Sequence, residues 1–117
     1  MRYMLLLYAN QAETAALGAA EEAAVIREHM QLIEELEQTG RYQTCEALEP
    51  VRTATTVRVR SGKTLVTDGP FAETKEHLGG YYVIEAKTLD DAIAIAARIP
   101  DAKFGSVEIR PIREISL

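Results

Sequence analysis

Residues 64–86 read TLVTDGPFAETKEHLGGYYVIEA. A short β-type run ends at Asp68-Gly69-Pro70-Phe71. Gly79-Gly80 then opens a stronger run, with Tyr81 and Val83 on one face and Tyr82 and Ile84 on the other. The polar residues between are too few for a standard helix and predict a single helical turn. The stretch therefore reads as strand, constrained turn, helical turn, strand, with the Asp68 carboxylate held between two strand ends where a ligand can reach it.

Working outward, Thr55 to Arg60 alternates, Val57 and Val59 on one face and Arg58 and Arg60 on the other. Ser61-Gly62 is a hairpin turn leading into Thr64–Thr67. Arg41 to Leu48 is a weaker strand stopped by Glu49-Pro50. Arg2 to Tyr8 is apolar on both faces, and its length favours a buried strand over a helix. Asn10 to Leu17 reads as a loop with room for a helical turn. Gly18 is placed to cap a helix from Ala19 to Thr39, closed by Gly40, with Glu21 and Glu22 suited to its positive end. Its stripe comprises Val25, Ile26, Met30, Leu32, Ile33 and Leu36, with His29 near the middle. Thr88 with Asp91 forms a capping box for a helix from Leu89 to Ile99, which Pro100 ends. Gly105 to Ile112 is the last strand, with Val107 and Ile109 turned inward.

This order predicts an α+β fold, a ferredoxin-like sandwich with both helices on one face of an antiparallel sheet. One helical layer covers one face only. Arg2–Tyr8 and Tyr81–Ala86 are apolar on both, so a homodimer packed sheet against sheet is expected. The 117 residues suit a single domain over the whole chain, 1–117. With 13 basic and 18 acidic residues the net charge is −5, which argues against a nucleic-acid or anionic-membrane partner. One cysteine, Cys45, excludes an internal disulfide and fits a reducing cytoplasm. The apolar run near the N-terminus is too short for a signal peptide, and no run is long enough to span a bilayer.

The pieces RYMLLLY, His29, TATTVRVRSGKTLVTDGPFAETKEHLGGYYVIEA and VEIRPI together resemble the YCII-related family, in its DGPF branch. The resemblance runs over nearly the whole chain, and its central motif, TDGPFAETKE followed by Gly-Gly, is specific. It implies a dimeric α/β-barrel assembly. It also implies a His–Asp pair proposed as catalytic in relatives, here His29 and Asp68, and an association of the branch with extracytoplasmic-function sigma factors. Cys45 stands where relatives often have a small residue, and His77 where glutamine or another polar residue is commoner.

His29 within an apolar stripe needs a hydrogen-bond partner, as a satisfied core histidine or as a proton-transfer group near neutrality. Asp68 in an Asp-Gly turn suits a backbone cap and also suits orienting a histidine. Candidate ligand contacts are Tyr8, Arg58, Phe71 and Tyr82. For the tyrosines, core or dimer interface is the alternative. For Arg58, with Arg60 and Lys63, it is a solvated hairpin face. Gly79-Gly80 fits a β-bulge or close ligand approach. No metal is expected, since His29 and His77 lack ligand spacing. No cofactor is expected either, since no phosphate loop, dinucleotide fingerprint or cofactor lysine motif is present. Two functions fit: a small cofactor-independent enzyme using His29 and Asp68 on a small organic molecule, or a non-catalytic dimeric ligand-binding or regulatory module linked to sigma factors.

Overall fold

A computed structural model describes residues 1–116. Six strands and four helices follow one another as β1 (Arg2–Ala9), α1 (Gln11–Ala15), α2 (Ala19–Gln38), β2 (Tyr42–Ala47), β3 (Thr55–Arg60), β4 (Lys63–Asp68), β5 (His77–Glu85), α3 (Leu89–Ala96), α4 (Asp101–Phe104) and β6 (Ser106–Pro111). A 3₁₀ turn, Val51–Thr53, precedes β3. The main sheet has the order β2-β5-β1-β6 with every neighbouring pair antiparallel. The fold is mixed α+β, consistent with a ferredoxin-like sandwich. The hairpin β3–β4 is a separate two-stranded sheet inserted between β2 and β5.

The core lies on one face of the main sheet. Tyr3, Leu5, Leu7, Tyr82 and Ile84 pack beneath Leu32 and Leu36 of α2 and Ala92, Ile95 and Ala96 of α3. Val107 and Ile109 of β6 join from the edge, as their alternation predicts. Of the apolar stripe read on α2, Leu32 and Leu36 are buried and Ile33 packs partly, whereas Ile26 and Met30 are more than half exposed. A helix over a narrow sheet buries a line spaced three or four residues apart, and Val25, His29, Leu32 and Leu36 form that line. Ile26 and Met30 belong to the next ridge round the helix.

Helix ends follow local chemistry. Asn10 caps α1 by accepting the Glu13 N–H at 3.1 Å, so the expected loop is a short helix. The α2 C-terminus closes with Arg41 N–H to Leu36 O at 2.8 Å and Gly40 N–H to Glu37 O at 3.2 Å, a Schellman pattern. Thr88 caps α3 through the Asp91 N–H. That helix stops at Ala96 rather than Ile99; the chain turns through buried Pro100 and begins α4 at Asp101.

Two readings of the central stretch are corrected. The segment between Phe71 and Glu76 forms bends, not a helical turn, and β5 begins at His77, so Gly79-Gly80 lies inside the strand. Leu7 pairs with Gly80 but Tyr8 pairs with Leu78, which makes Gly79 the extra residue of a β-bulge. Gly80 is required by close packing: a Cβ there would sit 2.7 Å from the Glu46 carbonyl of β2.

Candidate functional site

The bulge decides which way His77 faces. Ala9 lies on the same face of β1 as buried Leu7 and Leu5, and His77 pairs with Ala9. Without the extra residue at Gly79, period-two alternation would turn His77 to the opposite face. Instead it joins a cavity of about 740 Å³ on the helical side, between α1, the N-terminal half of α2, the segment after β2, and α4. His29 and Asp101 line the same cavity, with an apolar wall including Val25, Leu48, Val51 and Phe104. The volume falls in the range of small-molecule pockets.

His29 is held at both ring nitrogens. Nδ1 meets the Tyr82 hydroxyl at 2.5 Å, and Nε2 meets Asp101 Oδ1 at 3.1 Å. The His29 and Asp101 side chains are 22% and 18% exposed, enough to touch the cavity while largely withdrawn from water. Tyr82 is fully buried behind the imidazole, rings nearly parallel with centroids 5.8 Å apart. Burial, then the charge of the nearby Cys45 sulfur and a hydrogen bond to it, pushes the Tyr82 phenol far above its ordinary value of 10.0. Burial likewise raises the Cys45 thiol. A phenol held protonated donates to Nδ1, and the neutral imidazole then carries its proton on Nε2, pointed at the Asp101 carboxylate. The chain Tyr82–His29–Asp101 thus has a defined donor–acceptor sense. If the imidazole gains a second proton, Nδ1–H donates to Tyr82, and the phenol turns its own proton toward Cys45.

The other residues singled out from sequence lie elsewhere. Asp68 is the last residue of β4, exposed on the hairpin; it pairs across the ladder with Thr55 and does not line the His29 cavity. Arg58 is on the same hairpin and donates to the Phe71 carbonyl at 3.4 Å, and Phe71 itself is 78% exposed. Tyr8 is on the opposite face of β1 and reaches Glu108 at 3.5 Å. Tyr82 alone of the four ligand-contact candidates adjoins His29, and it does so from behind the ring. Sequence reading missed Asp101. Pro100-Asp101 is a recognisable helix start, but nothing local joins it to a histidine 72 positions away. Among the described residues no group of three or more His, Cys, Asp or Glu side chains is placed to hold a metal ion, and no helix is long and apolar enough to cross a membrane.

The family model for the YCII-related domain matches residues 1–116. An uncharacterized protein of Rhizobium meliloti (strain 1021) is 36% identical over 114 residues, covering 96% of this chain and 92% of the relative.

Proposed function

The chain belongs to the YCII-related family, and on that premise we propose that it is a small cofactor-independent acid–base enzyme in which His29 and Asp101 move a proton on a small organic molecule held in the adjoining cavity. The supporting observation is the arrangement of His29, clamped between a buried phenol and a carboxylate at a cavity wall. Asp101 and His29 share an exchangeable proton between Oδ1 and Nε2. The carboxylate accepts a proton from an acidic C–H or O–H of the substrate, the Nε2–H steadies the charge that develops, and the proton returns at a neighbouring atom. Proton exchange, isomerisation and elimination fit this equipment. Tyr82 is a positioning residue: it fixes the tautomer and never meets the substrate. The Asp68 partnership implied by the family resemblance gives way to Asp101 in this proposal, because Asp101 is the carboxylate within reach of the ring.

The test is proton exchange in D₂O, followed by NMR, with a panel of enolisable acids and lactones. Exchange by the native protein that disappears in His29→Asn and Asp101→Asn, with the fold retained, supports the proposal. Exchange that survives both variants, or no exchange with any compound, refutes it.

One observation favours the second reading, a binding or regulatory module, sigma-factor-linked in the family's manner. Both imidazole nitrogens are already engaged within the chain, so a ligand meets no free ring nitrogen. In that reading ligands raise the melting temperature without turnover.

Either reading is proposed to operate as a homodimer. Met4, Leu6 and Tyr81 on the outer sheet face keep partial exposure beside buried Val83, and the hairpin valines are exposed. The radius of gyration, 16.3 Å, exceeds the roughly 13–14 Å of a compact chain of this length. Sheet-to-sheet packing would bury over ~1,200 Å² in total; a stable monomer in sedimentation at micromolar concentration would exclude it.

A further inference from the structure

Three side chains that can donate hydrogen bonds, Gln11, Arg52 and His77, line the cavity. They come from segments that are distant in sequence but meet at the same edge of the sheet. Gln11 follows β1, Arg52 follows β2, and His77 opens β5. The antiparallel order brings these ends together: Ala9 pairs with His77, and the Leu48 N–H donates to Gly79 O at 2.9 Å. Gln11 Oε1 accepts the Val51 N–H at 2.8 Å. That bond fixes the loop carrying Arg52 against α1 and leaves both N–H donors of the Gln11 amide for other partners. Arg52 takes part in none of the ion pairs among the described residues. His77 Nδ1 is shut off from solvent with no partner. Its ring is therefore held by packing, and Nε2 is the nitrogen left for a ligand. A buried polar atom without a partner is costly, and its presence in the wall of a cavity points to function rather than stability.

The carboxylates in the lining, Glu22 and Asp101, both belong to helices α2 and α4. The lining therefore combines donors from Gln11, Arg52 and His77 with carboxylates on α2 and α4. Between them the wall is apolar, from Val25, Ile26, Leu48 and Phe104.

We infer that Gln11, Arg52 and His77 form an anion subsite that anchors the carboxylate of a small, largely apolar organic acid, with its body against the apolar wall and its far end at His29 and Asp101. This rests on the cavity identified above as the ligand site and adds the substrate class. The β-bulge at Gly79 is the backbone device that turns His77 into the subsite. Arg52 supplies the charge, and Gln11 both fixes the Arg52 loop and adds a neutral donor.

The experiment is calorimetric titration of the full chain with matched pairs: hexanoate and hexanamide, phenylacetate and phenylacetamide, salicylate and salicylamide. The acid of at least one pair is expected to bind about tenfold or more tightly than its amide, as one charge-assisted hydrogen bond implies. Arg52→Gln, at an exposed position that leaves the core intact, is expected to remove that preference, and His77→Phe to weaken it. His29→Asn is expected to preserve it while abolishing proton exchange. Equal binding of acid and amide, binding of neither, or an acid preference that survives Arg52→Gln overturns the inference. Acid preference without exchange sinks the catalytic reading alone, and exchange without acid preference sinks the subsite alone.

Discussion

The covered face of β1 and the valine face of the β3–β4 hairpin carry the same kind of pattern and meet opposite fates. Tyr3, Leu5 and Leu7 alternate with half-exposed neighbours and are 4%, 0% and 6% exposed. Val57 and Val59 alternate just as cleanly, with Val66 opposite Val57, and the three are 59%, 59% and 64% exposed. Alternation therefore announces that a face wants a cover, but not what supplies it. For β1 the cover is α2 and α3, from the same chain. For the hairpin the chain supplies none, and β4 is exposed along its whole length. Full burial of such a side chain is worth roughly 1.5–3 kcal/mol, and each of these valines forgoes the larger part of it unless another surface meets it. This is the physical motive for the proposed second copy.

The contrast can be broken by substitution, and the largest effect belongs to the covered side. Leu36→Ala is expected to cost about 2–5 kcal/mol in denaturant melts, because Leu36 is 2% exposed between helix and sheet. A cost near zero would mean that the helix does not rest on the sheet as described. Next is Tyr82→Phe, on the same face. It strips the donor from His29 Nδ1 and leaves a withdrawn nitrogen unpaired, a loss of about 1–3 kcal/mol at neutral pH.

The same residue gives a pH dependence of definite sign. Its phenol is raised above 10.0 in the folded state, chiefly by burial, so the native protein keeps a proton that the unfolded chain releases. That stabilisation is complete below the unfolded pKa and is lost as pH rises through and beyond it. Cys45, raised from 9.0 by burial first, adds a contribution of the same sign beginning lower. Urea melts from neutral to alkaline pH are expected to show falling stability above pH 9.0, with a shallower fall in Tyr82→Phe. An unchanged alkaline limb would contradict the buried phenol.

On the exposed side, Val66→Ala in an isolated chain is expected to change stability by no more than about 0.5 kcal/mol. In a dimer closed over the hairpin the loss should be larger and should depend on protein concentration, which equilibrium melts at two concentrations would reveal. The smallest effect is expected at Glu35. It is half exposed and paired with half-exposed Arg98 across the α2–α3 side of the molecule, so Glu35→Ala should stay within about half a kcal/mol and weaken further in high salt. A loss comparable to that of Leu36→Ala would reverse the assignment of helix faces.

Much of the fold is legible locally. Tyr3, Leu5 and Leu7 on one face of β1, the Ser61-Gly62 hairpin turn and the Thr88 cap each follow from residues that are neighbours in the chain. The misreadings share a cause. Gly79-Gly80 resembles the start of a strand until β1 and β2 are set beside it; only then does Gly79 become the extra residue and Gly80 the point of close contact. Ile26 and Met30 look like core on a wheel because a wheel does not show how narrow the sheet beneath is. The imidazole at position 29 declares its need for partners, since a histidine in an apolar line cannot stay unsatisfied. Which groups meet that need is a matter of long-range packing: Tyr82 arrives 53 positions later and Asp101 72 positions later.

The amino-acid sequence alone determined the strands, the two long helices and their order, the family and the presence of a histidine under obligation, because periodicity, caps and turn residues act over a few bonds. Tertiary structure alone decided that Asp101 faces His29, that a one-residue bulge turns His77 into the cavity, and that Gln11 and Arg52 share its rim. Hydrogen bonds of about 3 Å select partners by position in space, and that position is set only when the strands have taken their order.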